Sequence, residues 1–176
     1  MNLNLEDKVI LITQDQRGIC QYIFNVLTQE GAQPFIVNHQ DLNNFEGYQM
    51  DAIVNISDGL QNTIVPLEML NPAFETPFTL IHIKPAHLLS FKLETDTPLH
   101  FNTAAQALPQ SLGLKTNTIV YPTHHEHNSP KAMISQIANT TAFLLSNRSK
   151  PMKHQTIFID EGLPVHYNNH MLHQLN

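Results

Sequence analysis

The chain has 176 residues and a mass of 20.0 kDa, which fits one domain and leaves little room for two. With 41% hydrophobic and 14% charged residues it can close a core, so disorder is excluded as its general state. Nine Lys and Arg against fifteen Asp and Glu give a formal charge of −6, and the only arginines are Arg17 and Arg148. That balance argues against a nucleic-acid surface, and the lack of tryptophan argues against a stacking platform for single strands. No apolar run reaches the ~18 residues that span a bilayer. Met1 to Lys8 lacks the basic-then-apolar layout of a signal peptide. The single cysteine, Cys20, rules out an internal disulfide and a cysteine-based zinc site. A cytoplasmic protein is expected, with neither membrane nor nucleic acid as partner.

The first element is the short apolar run Val9-Ile10-Leu11-Ile12-Thr13, the pattern of a strand covered on both faces. Ile19, Tyr22, Ile23, Val26 and Leu27 recur at helical spacing, and Gly31 stops that helix. Strands are predicted at Pro34–Asn38, Asp51–Asn55, Phe78–Ile83 and Thr118–Tyr121. Between Leu60 and Lys115, six prolines break the chain into short pieces. Ser129-Pro130 supplies an N-cap and a first-turn proline for a helix whose apolar stripe runs from Met133 to Leu145. Thr156–Asp160 is the last strand. Apolar strands alternating with helices predict a doubly wound, Rossmann-like α/β domain over residues 1–162, with a parallel sheet of about six strands. Residues 163–176 form a histidine-containing tail.

The order of these pieces resembles the short-chain dehydrogenase/reductase family. Leu5 to Thr13 looks like its first strand, and Gly18-Ile19 matches the centre of its T-G-x-x-x-G-I-G turn. Gln29-Glu30-Gly31-Ala32 resembles the end of its first helix, and Asp51 to Asn55 the strand leading into N-N-A-G. Ile119-Val120-Tyr121-Pro122 is similar to the strand ending in P-G, and Ala142–Ser146 with Gln155–Gly162 to the closing F-L-x-S … V-D-G-G. A second register sets Ile53 to Ser57 over the family's I-V-N-I-S. The resemblance implies NAD(P) as cofactor, held by Thr13, Arg17, Gly18, Ile19 and Asn55, with Asp41 or His39 toward a ribose hydroxyl. It also implies oligomer contacts through the last strand and its helix, hence a homodimer or a pair with a paralogue.

The departures bear on activity. Only Gly18 of the glycine-rich turn remains: Gln14 and Cys20 stand where the family has glycine, and Asp15 would face the cofactor pyrophosphate, repelling it unless Arg17 compensates. The family's Y-x-x-x-K pair, in which lysine lowers the pKa of an acid/base tyrosine, has no counterpart. No tyrosine lies between Gln49 and Val120, and the best local alignment puts Phe101 and Ala105 at the two positions. Only His39 to Met50 separates the second and third strands, too little for the family's helix–strand–helix, so its third, edge strand is missing.

Other groups could carry chemistry. His124, His125 and His127, with Glu126, follow a strand end and could bind zinc or nickel, against the plainer reading of an exposed polar loop. His166, His170 and His173 would share one face of a terminal helix as a metal- or pH-sensing cluster, against a solvated tail. Cys20 opens a helix and is either an activated thiol or a small packing residue. Ser57-Asp58-Gly59 lacks the flanks of a nucleophile elbow. The expected function is a pseudoenzyme serving as a binding or oligomer-interaction module. The alternatives are an NAD(P)-dependent oxidoreductase with a rearranged site, using His100 or another histidine as acid, and a metal- or pH-responsive protein.

Overall fold

The computed structural model describes residues 3–15, 17–38, 41, 49–57, 78–85, 115–122 and 130–159. They contain six strands, β1 (Val9–Thr13), β2 (Gln33–Val37), β3 (Ala52–Ile56), β4 (Thr79–Pro85), β5 (Lys115–Tyr121) and β6 (Gln155–Phe158), with helices α1 (Ile19–Gln29) and α2 (Pro130–Leu145). All pairings are parallel and the order is β2-β1-β3-β4-β5-β6. The order reverses at β1, which pairs with β2 on one side and β3 on the other. That switch point is where open α/β sheets bind ligands, beyond the carboxyl ends of the strands. Because β3 lies directly beside β1, it has the fourth place in a 3-2-1-4-5-6 order. Asn55 therefore sits in the strand that leads to N-N-A-G, and the I-V-N-I-S register does not hold.

Side chains alternate across each strand, so the sheet has two distinct faces. Ile10, Ile12, Val54, Ile56, Ile81, Ile83, Ile119 and Tyr121 pack beneath α1 and α2, against Ile23, Leu27, Ile137 and Leu144. The other face carries a smaller cluster of Leu11, Val37, Met50, Ile53, Phe78 and Leu80. Every residue of β3 and of β5 is buried, which is why these segments lack the polar alternation of a half-exposed strand.

The end of α1 follows directly from sequence. Gly31 takes φ 86°, its N–H donates to Thr28 O, and Ala32 N–H reaches back to Leu27 O. That paired closure needs a left-handed residue at the position glycine fills at least cost.

Among the described residues β2 forms the sheet edge, as the short His39–Met50 connection predicts. Gln33 N–H donates to Lys8 O, and Val37 O accepts from Gln14 N–H, so the peptide groups of Gln33, Phe35 and Val37 face β1. Those of Pro34 and Ile36 face outward, and Pro34 has no N–H.

β5 begins three residues before the predicted strand, because Lys115, Thr116 and Asn117 are polar yet buried. Lys115 Nζ donates to Leu144 O at 2.6 Å and Ser149 Oγ at 2.7 Å. Asn117 Nδ2 donates to Met152 O at 3.0 Å, and its Oδ1 accepts from Gln155 N–H at 3.0 Å. Polar side chains with partners are tolerated where a hydrophobic pattern alone would end the strand. Lys8 Nζ also donates to Leu145 O at 3.1 Å, so two lysines close the C-terminus of α2.

Candidate functional site: the β1–α1 turn

The turn after β1 gathers four of the residues predicted to hold a dinucleotide. Thr13 is fully buried, and its Oγ1 accepts from the Ile56 N–H at 2.7 Å, fastening the end of β1 to β3. Gly18 stands at the N-cap of α1 with φ 76°, a left-handed conformation that β-carbon-bearing residues resist. Ile19 is buried beneath the helix. Asn55, on β3, is 2% exposed and its Nδ2 lies 3.4 Å from His82 Nδ1 of β4.

Asp15 occupies the centre of this turn. One carboxylate oxygen accepts from the backbone N–H of Arg17 at 2.9 Å and of Ile19 at 3.1 Å; the other accepts from Cys20 N–H at 2.8 Å. A helix N-terminus presents unpaired amides and a partial positive charge, so a carboxylate there is stabilised by charge-assisted hydrogen bonds and by the helix dipole. The same property makes such a turn a phosphate seat. Here the seat is filled from within. Beside any repulsion from its charge, Asp15 takes the donors that a pyrophosphate in this turn would need.

Arg17 does not compensate that charge with its side chain. Its guanidinium lies over the ring of Tyr121, 5.8 Å from the centroid, in cation–π contact at the carboxyl end of β5. Tyr121 is 1% exposed, so its ring fills volume beside the N-terminus of α1. A dinucleotide bound in the manner implied by the glycine-rich turn does not fit these residues: the amides are taken by an anion, and bulk replaces bare backbone at Gln14 and Cys20.

Cys20 is 6% exposed, and burial pushes its thiol pKa up, with the nearby Asp15 carboxylate adding to the rise and a backbone hydrogen bond opposing it. It packs in the core and is no activated nucleophile. Asp41 N–H donates to Asn38 O, and the Asp41 carboxylate accepts from Asn38 Nδ2 at 3.1 Å, which turns it onto its own loop. His39, Phe101, Ala105, His100, Ser129, the histidines His124, His125 and His127, and the tail with His166, His170 and His173 lie outside the described residues. Among the described residues no group of three metal-ligating side chains is found, and no helix is long and apolar enough to cross a membrane.

Periodicity passed over three residues of interest. His82 and Lys84 hide inside an apolar strand, and Tyr121 reads as a strand end. The Asp15 cap had a signal, since an acidic residue just before a helical stripe is a preferred capping residue.

No protein-family model matches this sequence, and no protein of curated function is significantly similar to it. Solved structures do match. A short-chain dehydrogenase/reductase of the glucose/ribitol dehydrogenase type from Brucella melitensis superposes with a TM-score of 0.64 at 13% identity, over 92% of this chain and 98% of that one. An enoyl-[acyl-carrier-protein] reductase (NADH) from Aquifex aeolicus gives 0.60 at 16% identity, over 92% and 98%. A short-chain dehydrogenase from Leptospira borgpetersenii, solved with bound NAD+, gives 0.62 at 11% identity, over 90% and 93%. The fold is that of the short-chain dehydrogenase/reductases, with the Rossmann-like sheet reduced to six strands among the described residues. At these identities the likeness establishes architecture and carries no chemistry.

Proposed function

We propose that this chain is a shortened, degenerate short-chain dehydrogenase/reductase that has lost hydride transfer and keeps the fold as a binding or contact module, pairing with a second copy or a paralogue. The observation that carries this reading is the Asp15 carboxylate on the amides of Arg17, Ile19 and Cys20. The structural neighbours are oxidoreductases, one of them with NAD+ bound, so the β1–α1 turn is the natural place to look for a cofactor. In this chain that turn carries its own anion. Phe101 and Ala105 at the aligned tyrosine and lysine positions support the same reading, since neither can transfer a proton.

Titration with NADH and NADPH, by fluorescence and calorimetry on protein of known solution mass, tests it. The expected result is no binding up to millimolar cofactor in a well-folded dimer. Micromolar binding would overturn the proposal. It would favour the second reading, an NAD(P)-dependent oxidoreductase in which Asp15 swings out of the turn and the acid is not a tyrosine, with hydride transfer then to be assayed directly.

A further inference from the structure

The sheet face turned away from α1 and α2 carries a polar group that the β1–α1 turn does not use. His82 lies at the middle of β4, in register with Asn55 of β3 on one side and Thr118 of β5 on the other. Lys84 follows two residues later on the same face, nearer the carboxyl end of the strand, where this class of sheet binds ligands. The amino-terminal half of the same face is aliphatic, with Leu11, Ile53 and Leu80. Thr116 of β5 lies beside Leu80 in that half, while His82, Thr118 and Lys84 lie toward the ligand end.

Their hydrogen-bonding capacities point one way. Asn55 Nδ2 donates to His82 Nδ1, so the neutral imidazole carries its proton on Nε2 and offers a donor there. Burial, with the nearby Lys84 charge adding to it, lowers the His82 pKa to about 4 and keeps the ring neutral at physiological pH. The Thr118 hydroxyl is buried at 5% exposure and has no hydrogen-bond partner among the described residues. Lys84 is half-buried, and its pKa is lowered by burial, with no anion beside it among the described residues. An unpartnered buried hydroxyl and a desolvated ammonium are each unfavourable, and one oxyanion would satisfy both. His82 and Lys84 keep partial exposure, so such an anion has a route in.

We propose that Lys84, His82 and Thr118 form a binding site for a small monocarboxylate. One ammonium, one neutral imidazole N–H and one hydroxyl supply a single positive charge and three donors, which balances a carboxylate and falls short of a phosphate dianion. The site lies on the opposite face of the sheet from the α1 amides, so it holds whether or not a dinucleotide binds there.

Calorimetry on the full chain at neutral pH tests this with benzoate and butyrate as probes, benzamide as the uncharged control and inorganic phosphate as the dianion. The expected result is saturable binding of the carboxylates at about 1 mM or tighter, and none of benzamide. Lys84→Met should weaken benzoate roughly tenfold or more, Thr118→Val by a smaller factor, and Lys84→Arg should retain binding. The His82 ring resonances should shift with benzoate in the native chain, which reads the site even if Lys84→Met does not fold. Equal binding of benzamide, preference for phosphate, undiminished affinity in a folded Lys84→Met, or no carboxylate binding at about 10 mM would each overturn the proposal.

Discussion

The N-terminus of α1 and the C-terminus of α2 lie at opposite ends of one helical layer, and each is closed by ions of the sign its dipole favours. At α1 the ion is Asp15, which reaches amides only two to five residues away. At α2 the ions are Lys115 and Lys8, which come from 29 and 137 residues away in sequence to reach Leu144 O and Leu145 O. The local cap settles the chemistry of one turn and ties nothing else down. The distant caps fasten β5 and the N-terminal segment to the last helix, and Ser149 joins them by donating to Leu144 O at 2.8 Å. The two ends should therefore respond differently to substitution: one in binding, the other in stability.

The largest effect is expected at the α2 end. Lys115→Ala removes a buried stem and two hydrogen bonds, and should cost about 2–4 kcal/mol in chemical denaturation. The same lysine gives a pH signature. Burial, with the charges of Lys8 and Lys153 adding to it, lowers its pKa from 10.5 to about 8 in the folded chain. Between those values the unfolded chain holds more protons, so stability should rise as pH climbs from about 8 to 10.5 and be flat for this group below 8. Lys115→Ala should abolish that rise.

At the α1 end, Asp15→Ala should cost about 1–2 kcal/mol, the worth of a good N-cap. It should also create measurable affinity for inorganic pyrophosphate, absent in the native chain. A stability loss without that gain would break the contrast between the two ends. Arg17→Ala should cost only about 0.5–1 kcal/mol, read as a small fall in melting temperature, because a cation over an aromatic ring contributes no more than that at an exposed side chain. The acid response of His82 belongs to neither end. Its folded pKa of about 4 against 6.5 means that the unfolded chain binds the extra proton between those values. Stability should fall as pH drops from 6.5 toward 4, and His82→Asn should flatten that slope in pH-dependent urea melts.

Much of the architecture is legible in the sequence because single residues dictate it. The run Val9–Thr13, the stripe Ile19–Leu27 and the stop at Gly31 reproduce β1 and α1 almost residue for residue. β5 is harder, since Lys115 and Asn117 are admitted to the sheet only by partners on α2, Ser149 and the Met152–Gln155 stretch, and no local pattern shows those. The site divides the same way. Thr13, Gly18 and Ile19 were recognisable from the turn, whereas the sense of Asp15 depends on the left-handed geometry at Gly18 that folds its carboxylate back onto the helix. His82, Lys84 and Thr118 become a group only through the register of β4 and β5, which sequence periodicity cannot give.

Pro34 has a consequence beyond the neatness of an edge. Of the two residues of β2 whose peptide groups face outward, only Ile36 retains a hydrogen to donate, so a strand laid alongside would meet a broken ladder. Loss of the outer strand is thereby made hard to reverse. A segment inserted between Val37 and Met50 would gain little by pairing until Pro34 itself had changed. The same residue guards the β2 edge against pairing with further copies, so assembly is directed to other surfaces, the β6 edge among them, and a Pro34→Val chain should be the first to sediment as larger species.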